Sequence, residues 1–304
     1  MIHCTRQVSA LGARVCQRGR RVNPTPTPYP DLNRALQYLV ERVQANLGAQ
    51  FVGAYLQGSF AVGDFDLHSD VDFIIVTRDQ LSASEAQSLQ LMHKRIFSLD
   101  TAWAQHLEGS YFPQSILRRL PIGESARWQP KPPEYISPIW YLDNGSSTLI
   151  QSDHCNTLVV RWTLREHGVT LVGPAPTTLI EPIPVAALRS EILATMRTWG
   201  AEILTHPGDY DNRFYQTYIV LSYCRMLHDL CNGFPGSKPA GAAWAKANLD
   251  PSWGGLIDRT WAGRPVPEVS VRQPADPADF RATLEFVRYI LGEANAYAEA
   301  NHIT

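Results

Sequence analysis

Two aspartates, Asp70 and Asp72, stand one residue apart at the head of an apolar run, Phe73 to Val76. Side chains alternate faces along a strand, so both carboxylates point one way while Val71 and Phe73 point the other way, into a core. Two acids on one face of a strand edge repel each other, and a divalent cation between them relieves that repulsion. Upstream, Gly58-Ser59 closes a second apolar run, Phe51 to Leu56. A glycine at a strand-to-helix turn lets backbone come close to a phosphate, and the amides that follow can point at it. The Ser59 hydroxyl adds a donor. Ser69, just before Asp70, is either a further donor or an ordinary turn serine.

Gly-Ser followed by Asp-x-Asp between two apolar strands resembles the signature of the nucleotidyltransferase superfamily that includes DNA polymerase beta. The resemblance implies transfer of a nucleotidyl group from a nucleoside triphosphate, with ATP as donor, to a hydroxyl of a small molecule. It also implies Mg2+, as two ions about 3.5–4 Å apart that clamp the attacking and leaving oxygens. Asp70 and Asp72 would be the metal ligands, and Gly58, Ser59 and Ser69 would bind the nucleotide. The family places a third acid on the neighbouring strand. In His106-Leu107-Glu108-Gly109-Ser110-Tyr111, Glu108 matches it and is implied to be the base that takes the acceptor's proton. A third metal ligand and a strand-edge glutamate facing water are the alternatives for this residue.

The second half carries another resemblance. Leu221-Ser222-Tyr223-Cys224-Arg225-Met226-Leu227, Gly236-Ser237-Lys238-Pro239-Ala240 and Ala243-Trp244-Ala245 are similar to the C-terminal pattern of the aminoglycoside adenylyltransferase (streptomycin/spectinomycin) branch. Its phosphate-facing positions fall on Arg225 and Lys238, and cations there suit the outer oxygens of a triphosphate. The bland alternatives are an Arg225–Asp229 pair at i+4 and a solvated lysine at a helix start. One departure stands out: the antibiotic-modifying relatives carry an acid shortly before this helix core. Here that stretch reads Phe214-Tyr215-Gln216-Thr217-Tyr218, and the nearest acids are Asp209 and Asp211.

The elements that must position these residues follow from periodicity. A helix runs from an Asp31 cap to about Asn46. A helix capped by Ser82 or Ser84 follows the Asp strand and carries Ala86, Leu89, Leu91, Ile96 and Phe97. Residues 106–112 form the next strand, and Asn144-Gly145 marks a hairpin between Tyr135–Asp143 and Ser147–Gln151. Asn156–Glu166 is an amphipathic helix, and Val169–Val172 an extended segment. Beyond the prolines at 174, 176, 182 and 184 the pattern is helical, over 185–204, 213–231, 237–248, 252–262 and 277–299. The expected fold class is therefore α/β (α+β): a basic, poorly ordered arm over 1–28, a nucleotidyltransferase domain with a mixed sheet over 29–182, and an all-helical C-terminal domain over 183–304. A ligand would sit in the cleft between the two domains.

Composition bounds the rest. A chain of 304 residues, 44% hydrophobic and 18% charged, can build one large or two ordinary cores. A net charge of -2 exerts no general pull on nucleic acid or anionic membrane. Five cysteines without regular spacing read as reduced thiols in a cytoplasmic protein. No apolar stretch is long enough to span a bilayer, and a monomer is expected. Trp128 and Trp140 could line an acceptor pocket, although core packing is the commoner use of tryptophan. Two competing functions remain: a transferase acting on RNA or protein, supported only by the arginines of residues 1–28, and a catalytically silent ATP-binding module. A Glu108 pointing away from the aspartate pair would favour the silent module.

Overall fold

The structure, a computed structural model, describes residues 23, 25–66, 69–120, 137–264 and 273–303. Most of the basic arm lies outside the described residues, as does Trp128. Ordered contacts begin earlier than Tyr29: the Asn23 amide donates to the Leu171 carbonyl at 2.7 Å, and Asn33 and Thr27 exchange hydrogen bonds.

Six strands form one mixed sheet: β1 (Phe51–Leu56), β2 (Val71–Thr77), β3 (Leu107–Pro113), β4 (Trp140–Leu142), β5 (Leu149–Gln151) and β6 (Val169–Val172). The order is β5-β4-β3-β2-β1-β6. Only β2 and β3 pair in parallel; each of the other neighbours is antiparallel. The parallel pair needs a crossover, and α3 (Ala83–Phe97) provides it. Ser82 caps this helix with a full capping box to Glu85.

Both faces of the sheet are covered. Val71, Phe73 and Ile75 share one core with α1 (Pro30–Leu47) and α3. Ile74 and Val76 share another with Leu117 of α4 (Gln114–Arg118) and Leu164 of α5 (Leu158–His167). Strict alternation on β2 therefore puts Asp72 on the α5 side. Between β1 and β2 lies the short α2 (Gly58–Val62). Its Phe60 stacks on Phe65 at 4.7 Å, within a ring cluster that includes Tyr29 and Trp103, and this anchors the segment leading to Asp70.

The remaining described helices pack around a separate core: α6 (Val185–Thr205), α7 (Arg213–Asn232), α8 (Lys238–Asn248), α9 (Gly254–Ala262) and α10 (Pro277–Ala300). Asn212, Ser237 and Asp276 cap the helices that follow them. None of the helices among the described residues is long and apolar enough to cross a membrane.

Two local expectations are corrected, and Trp140 takes the commoner of its two readings. Asp31 does not cap α1: Pro30 takes the first helical position, which its ring geometry suits, and Asp31 pairs with Arg34 inside the first turn. Leu91 is 53% exposed, while Met92 and His93 turn inward. Trp140 packs against the α1 and α3 core, on the face of β4 opposite Tyr141.

One buried cation ties α5 to α4. Arg161 donates to the carbonyls of Ile116, Leu117 and Thr157 and to Asn156 Oδ1. Burial pulls its guanidinium down to about 10, against the opposing pull of Glu191. Arg161→Met should cost about 3–5 kcal/mol in urea melts, because four acceptors lose their donor. A loss under about 1 kcal/mol would show that the site re-forms without it.

Candidate active site

Asp70 and Asp72 lie at the head of β2, and Glu108 lies beside them. In the parallel register Asp72 is opposite Glu108, so the two carboxylates leave the sheet on the same face. Tyr141 pairs with Ser110 in the antiparallel register, which continues that face onto β4. This is the arrangement that argues against a Glu108 turned away from the aspartate pair.

Electrostatics mark the cluster as short of positive charge. Burial first, then the neighbouring Asp70 charge, pushes Asp72 up to about 7, although Lys238 and Arg225 pull the other way. Burial and the charge of Asp72 push Glu108 up to about 8. Asp70 is raised by burial and by Asp143, and eased by Lys238, His106 and the Asn144 hydrogen bond. Clustered buried acids of this kind are typical of sites built to hold a cation or move a proton.

Gly58 shows how closely the turn is fitted to Asp72. Its φ is +59°, and a Cβ there would lie 1.9 Å from Asp72 Oδ2. The Gln57 amide also donates to the Asp72 carbonyl at 3.0 Å. Ser59 Oγ is buried without a hydrogen-bond partner among the described residues, which leaves a donor for a ligand oxygen. Ser69 differs. Its hydroxyl accepts from the Asp66 amide at 2.9 Å and approaches Asp66 Oδ1 at 3.3 Å, so it closes the turn before Asp70.

The helical unit forms the opposite wall. A cleft of about 230 Å³ is lined by Gly58, Ser59, Asp70 and Asp72 on one side and by Tyr218, Arg225 and Lys238 on the other. Arg225 and Lys238 meet because α7 and α8 approach closely at Gly241, where a Cβ would sit 2.5 Å from the Arg225 Cα. Asp229 does not pair with Arg225. It accepts from His228 Nδ1 and the Gly236 amide, both at 2.8 Å, and so shapes the turn that leads to Ser237 and Lys238. The Arg225 guanidinium makes no hydrogen bond or ion pair among the described residues. Burial and the nearby Arg225 lower the Lys238 pKa, while Asp70, Asp72 and Glu108 oppose that shift. Two cations held close together, neither in a direct ion pair among the described residues, suit an anionic ligand.

The donors present fit magnesium in chemistry, being hard carboxylate oxygens. Among the described residues no group of three or more His, Cys, Asp or Glu gathers as a metal site, so the fit rests on Asp70 and Asp72. Several contributors escaped sequence reasoning. Asn144, read only as a turn residue, donates to Asp70 Oδ1, and Tyr141 donates to Glu108 Oε1. Across the cleft mouth Ser237 donates to Asp64, and Arg264 donates to Asp66 Oδ2 at 2.8 Å. Asp209 and Asp211 are exposed, and Phe214, Thr217 and Tyr218 line the cleft in place of an acid.

Comparison with known proteins agrees with this architecture. Residues 178–273 match the family model of the aminoglycoside adenylyltransferase C-terminal domain. Spectinomycin 9-adenylyltransferase of Staphylococcus aureus is 26% identical over 221 residues, covering 70% of this chain and 77% of that protein. The aminoglycoside (3'') (9) adenylyltransferase of Shigella flexneri is 23% identical over 273 residues, covering 86% of this chain and 95% of that protein. The solved structure of spectinomycin adenyltransferase AAD(9) from Enterococcus faecialis, with ATP and spectinomycin, superposes with a TM-score of 0.58 at 13% identity, covering 86% of this chain and 98% of that one. Residues 178–273 thus match the C-terminal domain of the aminoglycoside adenylyltransferase family, the chain is similar to that branch over most of its length, and this similarity supports an enzyme of the adenylyltransferase type.

Proposed function

We propose that the chain transfers AMP from ATP, with magnesium, to a hydroxyl of an aminoglycoside-like small molecule. The observation that carries this is the pairing of Asp72 with Glu108 on one sheet face, opposite a wall bearing Arg225 and Lys238. Asp70 and Asp72 hold the metal, which when bound supplies charge neutralisation for the triphosphate. Gly58 and Ser59 cradle phosphate oxygens at the turn into α2. Arg225 and Lys238 bind the outer phosphates and favour the departing pyrophosphate.

Glu108 takes the acceptor's proton. The acceptor O–H bond breaks, and its oxygen forms a bond to the α-phosphorus. The bridge to the β-phosphate breaks, and its electron pair leaves on pyrophosphate. The cleft wall of Phe214, Thr217 and Tyr218 favours an acceptor with few positive charges over a strong polycation. The test is pyrophosphate release with ATP and magnesium against spectinomycin, aminoglycosides and uncharged hydroxyl metabolites, with products weighed by mass spectrometry. Acceptor-dependent release and a product heavier by one AMP group are expected. ATP binding without release on any acceptor would favour the silent module instead.

A further inference from the structure

We propose that Tyr141 is the positioning residue for Glu108: its phenol holds one carboxylate oxygen so that the other faces the acceptor hydroxyl. The inference rests on Glu108 being the acceptor's base. Tyr141 Oη donates to Glu108 Oε1 at 2.7 Å and also reaches Asp143 Oδ1 at 3.0 Å. A phenol has one proton, so it serves one of these acids at a time. The shorter contact goes to Glu108. His154 Nε2 lies 3.8 Å from the same oxygen, beyond hydrogen-bond length. Tyr141 is therefore the one direct hydrogen-bond donor to Glu108 among the described residues, and Oε2 carries no hydrogen bond.

The strand register explains why this tyrosine can do it. Tyr141 is opposite Ser110 on the adjacent β3, and Glu108 is two residues before Ser110, hence on the same face. The small Ser110 side chain leaves room for the phenol to lean along the face toward Glu108. Tyr141 is only 6% exposed, so its ring is held by packing. A glutamate has several freely rotating bonds, and a base must meet its proton within hydrogen-bond reach. Fixing one oxygen with a packed donor removes most of that freedom, and loss of such positioning lowers turnover without touching nucleotide affinity.

The experiment is a double-mutant cycle of Tyr141→Phe and Glu108→Ala, assayed with spectinomycin or the panel acceptor of highest turnover. Tyr141→Phe keeps the ring and removes only the oxygen. It should lower kcat about ten- to hundred-fold, the range for one lost hydrogen bond to a charged group. Its ATP affinity, measured by equilibrium dialysis, should match the parent and so report an intact site. Glu108→Ala alone should lower kcat roughly 10²–10⁴-fold, and adding Tyr141→Phe to it should cost nothing more. Multiplicative losses in the double variant, parental kcat in Tyr141→Phe, or lost ATP binding in Tyr141→Phe would each overturn the inference. Full activity in Glu108→Ala would instead overturn the assignment of the base, whatever Tyr141→Phe does.

Discussion

If Asp72 holds the metal as proposed, Asp72→Asn should reduce AMP transfer by roughly 10²–10³-fold, the equivalent of about 3–4 kcal/mol of lost transition-state stabilisation. The substitution keeps shape and removes charge, so the fold should persist. It should even gain stability when no divalent cation is present. Asp72 is pushed up to about 7, chiefly by burial and by the charge of Asp70. A carboxyl with a raised folded-state pKa prefers its protonated form in the fold. Its contribution is fully present below the ordinary carboxylate range and is lost as pH rises through about 7.

Glu108, raised to about 8, extends the same loss upward. The parent protein without divalent cation should therefore melt lower at pH 8 than at pH 5. Asp72→Asn should narrow that gap, and magnesium should raise the parent's melting temperature at pH 8 far more than the variant's. Calorimetry at the two pH values, with and without magnesium, checks the stability claim, and pyrophosphate release checks the catalytic one. A variant that turns over like the parent would remove Asp72 from the site. One that is inactive but melts lower at pH 8 would mean the charge is compensated in some other way.

How much of this could be seen before any coordinates depended on the range of the interaction. The helices of the second half were legible because each carries its own signals. Asn212, Ser237 and Asp276 cap apolar periodic runs, and the expected 213–231 and 277–299 became Arg213–Asn232 and Pro277–Ala300. The facing of Asp70 and Asp72 was legible too, since alternation along one strand needs no partner strand. The order of register was not. That Asp72 lies opposite Glu108 is a fact about β2 and β3 together, supported before the structure only by family resemblance.

Tyr141 and Asn144 show the limit most clearly. Asn144-Gly145 does mark a chain reversal, with Gly145 at φ +73°, but the loop runs longer than two residues and both strands are shorter than expected. Turn chemistry says that the chain reverses and says nothing about which side chains the reversal brings to a distant aspartate. Asn144 reaches Asp70 across 74 positions of sequence. The exposed Leu91 failed for a related reason: periodicity identifies an apolar stripe, but its edge depends on how far α1 extends over α3.

Gly58→Ala should be nearly as damaging to turnover as the loss of Asp72 itself, and a matched glycine separates the causes. Both Gly58 and Gly63 have positive φ, +59° and +83°. Alanine in that region costs roughly 1–2 kcal/mol at either position. At Gly63 nothing lies within 4 Å of the added carbon, whereas at Gly58 it meets Asp72 Oδ2 at 1.9 Å and Cγ at 2.7 Å. Asp72 has little room to retreat. Its carbonyl is held by the Gln57 amide, and Val71 and Phe73 on either side are fully buried. The carboxylate must swing off its position or the start of α2 must lift away, and either motion separates Asp72 from the Gly58-Ser59 turn. Gly63→Ala should then melt lower but retain turnover within about three-fold, while Gly58→Ala should lose on the order of 10²-fold in kcat. Equal activity in the two variants would mean that the close fit of the turn to Asp72 does not matter to catalysis, and that glycine is present at 58 for its backbone conformation alone.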